Sequence, residues 1–241
     1  MFIDPLAPVS IEPTTRCLLL RGRNDDGNLC LDMYVETLES STALPPVFPD
    51  QHLPDTVSHL LRATRHAPLL STTHYTLVTS GGRSVGRLTA NALGTRYTVH
   101  HTSANDSPRY LSDRRDACVV RYQPNVLGRK GPRKMTVEIP AEDSSGGYKS
   151  GDGSGDTVVL CNRMPEWCSQ SNAFVLDFDG RVSVPSVKNF QLVHPDEDAY
   201  VVLQFGRVAD HMFTLDMRYP MSPMLALAIA ASNMDRKLAC S

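Results

Sequence analysis

The chain of 241 residues lacks the features that mark several large classes of protein. Its formal net charge is only −2, which argues against a surface that coats nucleic acid or membrane throughout, so any anion site must be a local patch. The six cysteines are scattered and form no C-x-x-C pair, which favours reduced thiols in an intracellular protein over a disulfide framework. The first residues contain no basic segment followed by an apolar run, so we expect no signal peptide.

Motifs that bind cofactors or carry out catalysis are missing as well. The sequence has no P-loop and no G-x-S-x-G elbow, and residues 151–156 fit neither a dinucleotide-binding fingerprint nor an EF-hand loop. His100 and His101 with Asp106 make a poor metal site, because no third ligand follows at a telling spacing. We therefore predict a protein that is not an enzyme and that needs neither a cofactor nor a metal.

The most apolar stretch lies near the C-terminus. Ser222 suits the N-cap of a helix and Pro223 suits its first position, where no backbone N–H is needed. Residues 224–231 include no polar side chain, so a helix here must be buried in protein or in lipid. The run is far shorter than the roughly 20 residues that span a bilayer. We predict a buried helix that fills the core of a soluble protein.

The rest of the chain predicts about a dozen short strands at hairpin spacing. They are expected at residues 16–21, 28–36, 75–79, 84–90, 95–101, 116–123, 133–139, 157–161, 174–179, 187–194, 199–207 and 212–217. Without helices between them, such strands form antiparallel sheet, and a closed barrel removes every free edge. The inward rows are expected to be Phe190/Leu192, Val201/Leu203/Phe205 and Phe213/Leu215/Met217.

Two segments depart from the strand pattern within what we expect to be a single domain, residues 1–241. Residues 40–68 contain five prolines and are interpreted as an insertion, with a short helix at residues 54–65 that places Val57, Leu60 and Leu61 on one side. Residues 142–156 are rich in Ser, Gly and Asp and cannot bury enough apolar surface to become ordered.

Several longer motifs resemble the tubby C-terminal domain. They are GRL (86–88), NALGTRYTV (91–99), NVLGRKGPRKM (125–135), MPEW (164–167), SVKNFQ (186–191), QFGRVA (204–209), FTLD (213–216) and the ending KLACS (237–241). They follow the order of the family from about residue 5 to the end, so the resemblance covers nearly the whole chain. It implies a twelve-stranded antiparallel barrel closed around an apolar C-terminal helix, which agrees with the patterning.

The resemblance also implies a function. Tubby-like domains bind phosphoinositides of the plasma membrane, best known for phosphatidylinositol 4,5-bisphosphate, and take part in moving membrane proteins into cilia or flagella. The chain is therefore expected in the cytoplasm, peripheral to the plasma membrane or to a cilium or flagellum, as a monomer. Its implied partners are the phosphoinositide headgroup in an anionic leaflet and proteins of ciliary transport.

The family's lipid site maps onto four positions of this sequence. A basic–hydrophobic–basic triplet on one strand points two cations to the same face. Here it is Arg87-Leu88-Thr89, so Arg87 matches and Thr89 replaces the second cation. A third basic contact of the family matches Arg114, and an asparagine contact falls at His74, which still donates a hydrogen bond. A charge-assisted bond contributes about 1.5–3 kcal/mol, so the change at Thr89 matters.

Other cations provide a wider electropositive surface. Arg83, on the turn before the triplet, is a candidate to compensate for Thr89. Four cations fall within six residues at Arg129, Lys130, Arg133 and Lys134. This run is interpreted either as a surface that faces anionic lipid or as a structural turn.

Two alternatives to the lipid-binding hypothesis remain open. The first is a protein-interaction adaptor with a weakened lipid site, suggested by Thr89, His74 and the segment at residues 40–68. The second, less favoured, is a nucleic-acid-binding regulator, suggested only by the run of cations at residues 129–134 and opposed by the slightly acidic overall charge.

Overall fold

The computed structural model describes residues 3–36, 53, 56–66, 72–102, 116–123, 134–140, 157–169 and 172–235. These residues contain fourteen strands and one helix. The strands are β1 (Thr15–Arg23), β2 (Leu29–Glu36), β3 (Val57–His66), β4 (His74–Thr79), β5 (Ser84–Ala90), β6 (Arg96–His101), β7 (Asp116–Tyr122), β8 (Met135–Pro140), β9 (Thr157–Asn162), β10 (Glu166–Cys168), β11 (Ala173–Val175), β12 (Phe190–His194), β13 (Glu197–Arg207) and β14 (Met212–Met217). The helix α1 is Pro223–Met234.

Twelve of the strands close into an antiparallel barrel. From β1 to β9 each strand pairs with the next along the chain, β9 then pairs with β12, and β14 returns to pair with β1. The strands β10 and β11 form a separate two-stranded sheet. Every strand of the barrel has a neighbour on both sides, so its wall has no free edge. This confirms the predicted twelve-stranded barrel with a single C-terminal helix among the described residues.

The helix α1 fills the barrel. Ser222 caps it by accepting a hydrogen bond from the backbone N–H of Leu225 at 3.3 Å, and Pro223 follows at the start of the first turn. All residues from Pro223 to Met234 are buried. Burying a Leu or Ile side chain contributes about 1.5–3 kcal/mol to the stability of the fold. Fully buried residues such as Leu227 and Ile229 therefore stabilise the packing of the barrel wall on the helix.

The wall approaches the helix closely at Gly86 on β5. A Cβ atom at this position would lie 2.7 Å from Sδ of Met224 and 3.0 Å from the carbonyl oxygen of His100. Only glycine fits without moving either neighbour. The absence of a side chain at Gly86 therefore lets β5, the strand that carries Arg87, pack directly against the helix.

The predicted short helix at residues 54–65 is wrong. Residues 57–66 form β3, which pairs with both β2 and β4 and buries Leu61 and Ala63 in the core. Pairing on both sides overrides a local pattern that resembles a helix, because strand formation depends on tertiary context. The predicted insertion at residues 40–68 thus contains a barrel strand. Most of its other residues, and the predicted loop at residues 142–156, lie outside the described part of the chain.

The strand predicted at residues 174–179 ends early, at Val175. Beyond Val175, the backbone carbonyls accept hydrogen bonds from side chains and not from a neighbouring strand. The amide of Gln191 donates to the carbonyl oxygen of Asp177 at 2.6 Å, and the amide of Gln204 donates to that of Phe178 at 3.3 Å. Side chains on the barrel wall therefore bind this segment as an outer layer.

Most of the predicted inward rows are confirmed by their burial in the core: Phe190, Leu192, Leu203, Phe205, Phe213, Leu215 and Met217. The prediction for Val201 is wrong. The pairing of β12 with β13 shifts register between Leu192 and Val193, so Val202 joins the core instead. Such a shift reverses the alternation of side chains beyond it.

Four cysteines of the described chain are free thiols, as predicted: Cys17, Cys30, Cys118 and Cys161. Burial raises the pKa of Cys17 and of Cys118, so both are protonated at neutral pH. They serve as small apolar residues of the wall.

A buried arginine fastens the segment between β11 and β12 to the outside of the barrel. Nε and Nη2 of Arg181 donate to the two carboxylate oxygens of Asp216 at 2.9 and 2.7 Å, and Nη2 also donates to Glu36 at 2.8 Å. The three side chains are 6–10% exposed. Although burial opposes its charge, the two carboxylates hold the pKa of Arg181 above its ordinary value. Each charge of this Arg181 clasp depends on the others, since the three side chains are largely removed from water.

We expect Arg181→Met to destabilise the protein by about 3–5 kcal/mol, because it leaves two buried carboxylates without a counterion. For a domain of this size that corresponds to a decrease of roughly 10 °C or more in the melting temperature, measurable by circular dichroism. The matched control is Arg121→Met, which breaks an ion pair with Glu138 whose arginine is 47% exposed and should shift the melting temperature little. Equal effects of the two substitutions would contradict the role assigned to Arg181.

Candidate functional site

Four neighbouring strands bring several basic and polar side chains to one outer face of the barrel. In the register of β3 to β6, His66 lies opposite His74, His74 opposite Thr89, and Arg87 opposite His100. Residues directly opposite each other share a face of a sheet. We call these five residues the outer-wall cluster: His66, His74, Arg87, Thr89 and His100. Arg87 and Thr89 share this face because Leu88 between them points into the core.

Arg87 is the main cation of the outer-wall cluster. Its side chain is half-buried, and its Nε is buried without a hydrogen-bond partner in the described part of the chain. The guanidinium carries five N–H donors in a planar fork and no acceptor. A buried donor without a partner is costly in a folded protein. If the side chain of Arg87 extends so that Nε reaches the surface, an oxyanion bound at this face supplies the missing acceptor.

Thr89 is already engaged within the wall. Its Oγ1 lies 3.4 Å from the carbonyl oxygen of Thr98 and 3.4 Å from Nε2 of His100. On the other side of that imidazole, Nδ1 of His100 lies 3.1 Å from a carboxylate oxygen of Asp116. A threonine at this position therefore carries no charge and is shorter than a lysine or arginine side chain. The cluster has one cation fewer than the basic–hydrophobic–basic triplet provides.

His74 supports the outer-wall cluster in its neutral form. Its ring stacks on that of His66 with centroids 4.9 Å apart, and Nε2 of His66 lies 3.1 Å from Oγ1 of Thr76. Burial and, after it, the positive charge of Arg87 lower the pKa of His74 below its ordinary value. The imidazole of His74 already forms a hydrogen bond with the backbone of Thr72. A bound anion would favour the protonated form, whose second N–H is then available to donate.

The two other predicted cations that the structure describes do not join the cluster. Arg83 is exposed before the opposite end of β5, six residues from Thr89 or about 20 Å along the strand, which is too far for it to replace the missing charge. Lys134 is exposed just before β8, two strands beyond β6. The remaining four predicted cations lie outside the described residues: Arg114, Arg129, Lys130 and Arg133.

Sequence reasoning missed His66 and His100 as members of the cluster. His66 falls in the segment predicted as an insertion, and the sequence suggests His100 only as part of a poor metal site. The cross-strand register of β3 to β6 identifies both as neighbours of Arg87 and His74. This register could not be predicted from the local sequence, because it depends on pairing between separate strands. Within the described ranges, no group of three or more His, Cys, Asp or Glu residues is placed to hold a metal ion.

The fold agrees with what comparison with known proteins shows. The model of the Tub family matches residues 8–236. The chain is 40% identical over 225 residues to tubby-related protein 2 of Mus musculus and 41% identical over 191 residues to tubby-related protein 1 of Homo sapiens. It is also 44% identical over 172 residues to protein king tubby 2 of Culex quinquefasciatus. The chain belongs to the Tub family.

The matches cover more of this chain than of its relatives. They take in 80%, 71% and 65% of the chain for the mouse, human and mosquito proteins, but only 40%, 35% and 40% of those proteins. The chain thus spans less than half the length of these relatives. No helix among the residues that the structure describes is long and apolar enough to cross a membrane.

We expect Arg87→Gln to raise the pKa of His74 toward its ordinary value, because the substitution removes a positive charge that disfavours the imidazolium. NMR titration of the imidazole resonances would measure the change. Arg16→Gln, which removes an exposed arginine on β1, serves as the control and should leave the pKa of His74 unchanged. An unchanged pKa in Arg87→Gln would show that the guanidinium does not act on His74.

Proposed function

We propose that this chain is a non-enzymatic module that binds phosphoinositides, of the class of phosphatidylinositol 4,5-bisphosphate, and docks reversibly on a membrane. The observation that carries this proposal is the buried Nε of Arg87, which lacks a partner in the described chain and lies on the same face as His74. The family's triplet implies a phosphate ligand at the same position. Membership of the Tub family supports this class of function.

In the proposed complex Arg87 binds one phosphate through its planar fork, which matches two phosphate oxygens. His74 donates a second hydrogen bond and gains a proton more easily beside the anion, so affinity should rise as the pH falls. Arg114 supplies the third contact of the family. Thr89 weakens the site by about one to two factors of ten relative to a lysine or arginine.

The wider surface would face the anionic leaflet. Each cation near such a leaflet contributes about 1 kcal/mol, and the candidates are Arg129, Lys130, Arg133 and Lys134. We extend the proposal to a peripheral location at the plasma membrane or at a cilium or flagellum, and to a part in delivering membrane proteins there. Ciliary transport proteins are the partners that this extension requires.

Sedimentation with vesicles tests the lipid site. We expect the chain to bind phosphatidylcholine vesicles that contain phosphatidylinositol 4,5-bisphosphate, and Arg87→Gln combined with Arg114→Gln to abolish binding, since two of the three proposed cationic or donor contacts are lost. Arg16→Gln controls for the loss of one surface charge. Absent binding by the unmodified chain would overturn the function, whereas binding that survives the double substitution would overturn only the site.

Thr89→Arg tests whether the site is intact but weakened. The new guanidinium would extend from the outer face beside Arg87, and we expect the affinity for the bisphosphate vesicles to increase about tenfold or more. A panel of phosphoinositides would show whether the gain is specific to one headgroup. Ser58→Arg, at an exposed position of β3 eight residues from His66, controls for a general gain of charge. Equal gains from both substitutions would indicate surface charge without a pocket.

The engaged Thr89 also supports a second candidate function, that of a protein-interaction adaptor. Its hydroxyl is turned onto the wall, and exposed apolar side chains lie at and beside the separate sheet of β10 and β11: Met164, Trp167 and Val175 are 68%, 55% and 40% exposed. If neither the unmodified chain nor Thr89→Arg binds phosphoinositides, the adaptor function becomes the better account.

A further inference from the structure

A second cationic feature lies where the helix ends, away from the outer-wall cluster. A cavity of about 1130 Å³ opens at this mouth of the barrel, and its charged or titratable lining residues are Arg21, Arg23, Arg65, Lys188, His211 and Asp235. Four of these side chains are cations at neutral pH and one is a carboxylate. We call this cavity the mouth cavity.

Two of the four cations are committed to the end of the helix. Nε of Arg65 donates to Oδ1 of Asp235 at 2.9 Å, and the hydroxyl of Tyr97 donates to the other oxygen of that carboxylate at 2.9 Å. Nζ of Lys188 lies 3.5 Å from the carbonyl oxygen of Met234. Cations near the C-terminus of a helix offset its negative dipole. Arg65 and Lys188 are explained by this role.

Arg21 and Arg23 are not explained by it. They continue the inward row of β1 that begins with the buried Cys17 and Leu19, and alternation turns both into the mouth. Nη2 of Arg21 lies 3.4 Å from Nδ1 of His211, and Nη1 of Arg23 donates to the carbonyl oxygen of Gly27. Neither arginine takes part in an ion pair with a carboxylate of the described residues.

The nearby carboxylates are engaged elsewhere. Both oxygens of Asp235 are held as described above. Asp26 accepts a hydrogen bond from the side chain of Asn24 at 3.3 Å, and Asp210 pairs with Arg207. Asp25 and Asp26 precede the lining residue Gly27 at the rim, but the residues that line the mouth cavity themselves carry four cations and one carboxylate, and the guanidiniums of Arg21 and Arg23 offer planar donor pairs that match phosphate oxygens.

We propose that the mouth cavity is an anion site for a small molecule or headgroup that carries two or more phosphates. Arg21 and Arg23, two residues apart on one strand, take adjacent phosphates, and His211 donates to the anion when its contact with Arg21 opens. The volume exceeds that of a single phosphate, which favours a larger polyphosphate. This site shares no residue with the outer-wall cluster, so the inference does not rest on the proposed function.

The position of the cavity is compatible with two kinds of phosphate ligand, a soluble polyphosphate and a lipid headgroup. A soluble polyphosphate can enter from solvent. A lipid headgroup can enter as well, because the cavity lies at the end of the barrel that carries His74: Nη2 of Arg65 lies 3.4 Å from Oγ1 of Thr73, the neighbour of His74. The experiment therefore needs a soluble arm and a vesicle arm.

In the soluble arm, inositol hexakisphosphate and inorganic pyrophosphate are titrated into the chain by calorimetry. We expect Arg21→Gln combined with Arg23→Gln to weaken binding at least tenfold, since two charge-assisted contacts are lost. Arg16→Gln combined with Arg96→Gln removes the same charge from exposed positions outside the mouth cavity and should weaken binding little. In NMR spectra the amides of Gly22 and Gly27, which line the cavity, should shift on titration.

The vesicle arm uses phosphatidylcholine vesicles with and without phosphatidylinositol 4,5-bisphosphate. Weaker soluble binding in the Arg21/Arg23 variant, with unchanged vesicle binding, would assign the site to a free polyphosphate. Weaker vesicle binding without measurable soluble binding would assign it to a headgroup. The proposal is overturned if neither arm responds to this variant, or if the Arg16/Arg96 control responds equally. Inositol hexakisphosphate can also bind at the outer-wall cluster, so the two sites are separated by the local readout: Arg87→Gln should leave the titration shifts of the Gly22 and Gly27 amides unchanged, whereas the Arg21/Arg23 variant should abolish them.

Discussion

The burial of one wholly apolar helix is the constraint on which the rest of the structure depends. No face of α1 between Met224 and Ala231 can meet water, so the chain must surround it on every side. An open sheet would cover one face and leave two edges, whereas twelve strands closed into a barrel cover all faces and leave no edge. Gly86 shows how closely wall and axis are fitted, since even one added carbon would collide with Met224.

This arrangement separates the residues that stabilise the fold from those that are available for binding. Alternation along β5 gives Leu88 to the core and Arg87 and Thr89 to the outer face. The residue at position 89 can therefore change between a cation and a threonine with little effect on packing. The absence of a charge at position 89 would therefore affect only the proposed ligand site, and a stable barrel is compatible with a weakened one.

The sequence predicted the helix, the closed barrel and the shared face of Arg87 and Thr89, because each follows from local periodicity and burial. The sequence-based predictions failed where pairing between distant strands determines the structure. The strand β3 carries few β-branched residues and a mixed pattern, and only its two neighbours make it a strand. The place of Val202 in the core follows from a register shift between β12 and β13, and the positions of His66 and His100 beside the site follow from register alone.

The two ends of the helix differ in a way that concentrates charge at one of them. At the N-terminal end Ser222 satisfies the backbone with its own hydroxyl, without any charged group. At the C-terminal end the buried Asp235 requires Arg65, and the helix dipole favours further cations. Arg21 and Arg23 exceed that requirement, and His74 with Arg87 lies near the same end. Among the described residues, Arg21, Arg23 and Arg87 thus place cations without a carboxylate partner near this end of the barrel, and both proposed anion sites lie on that side.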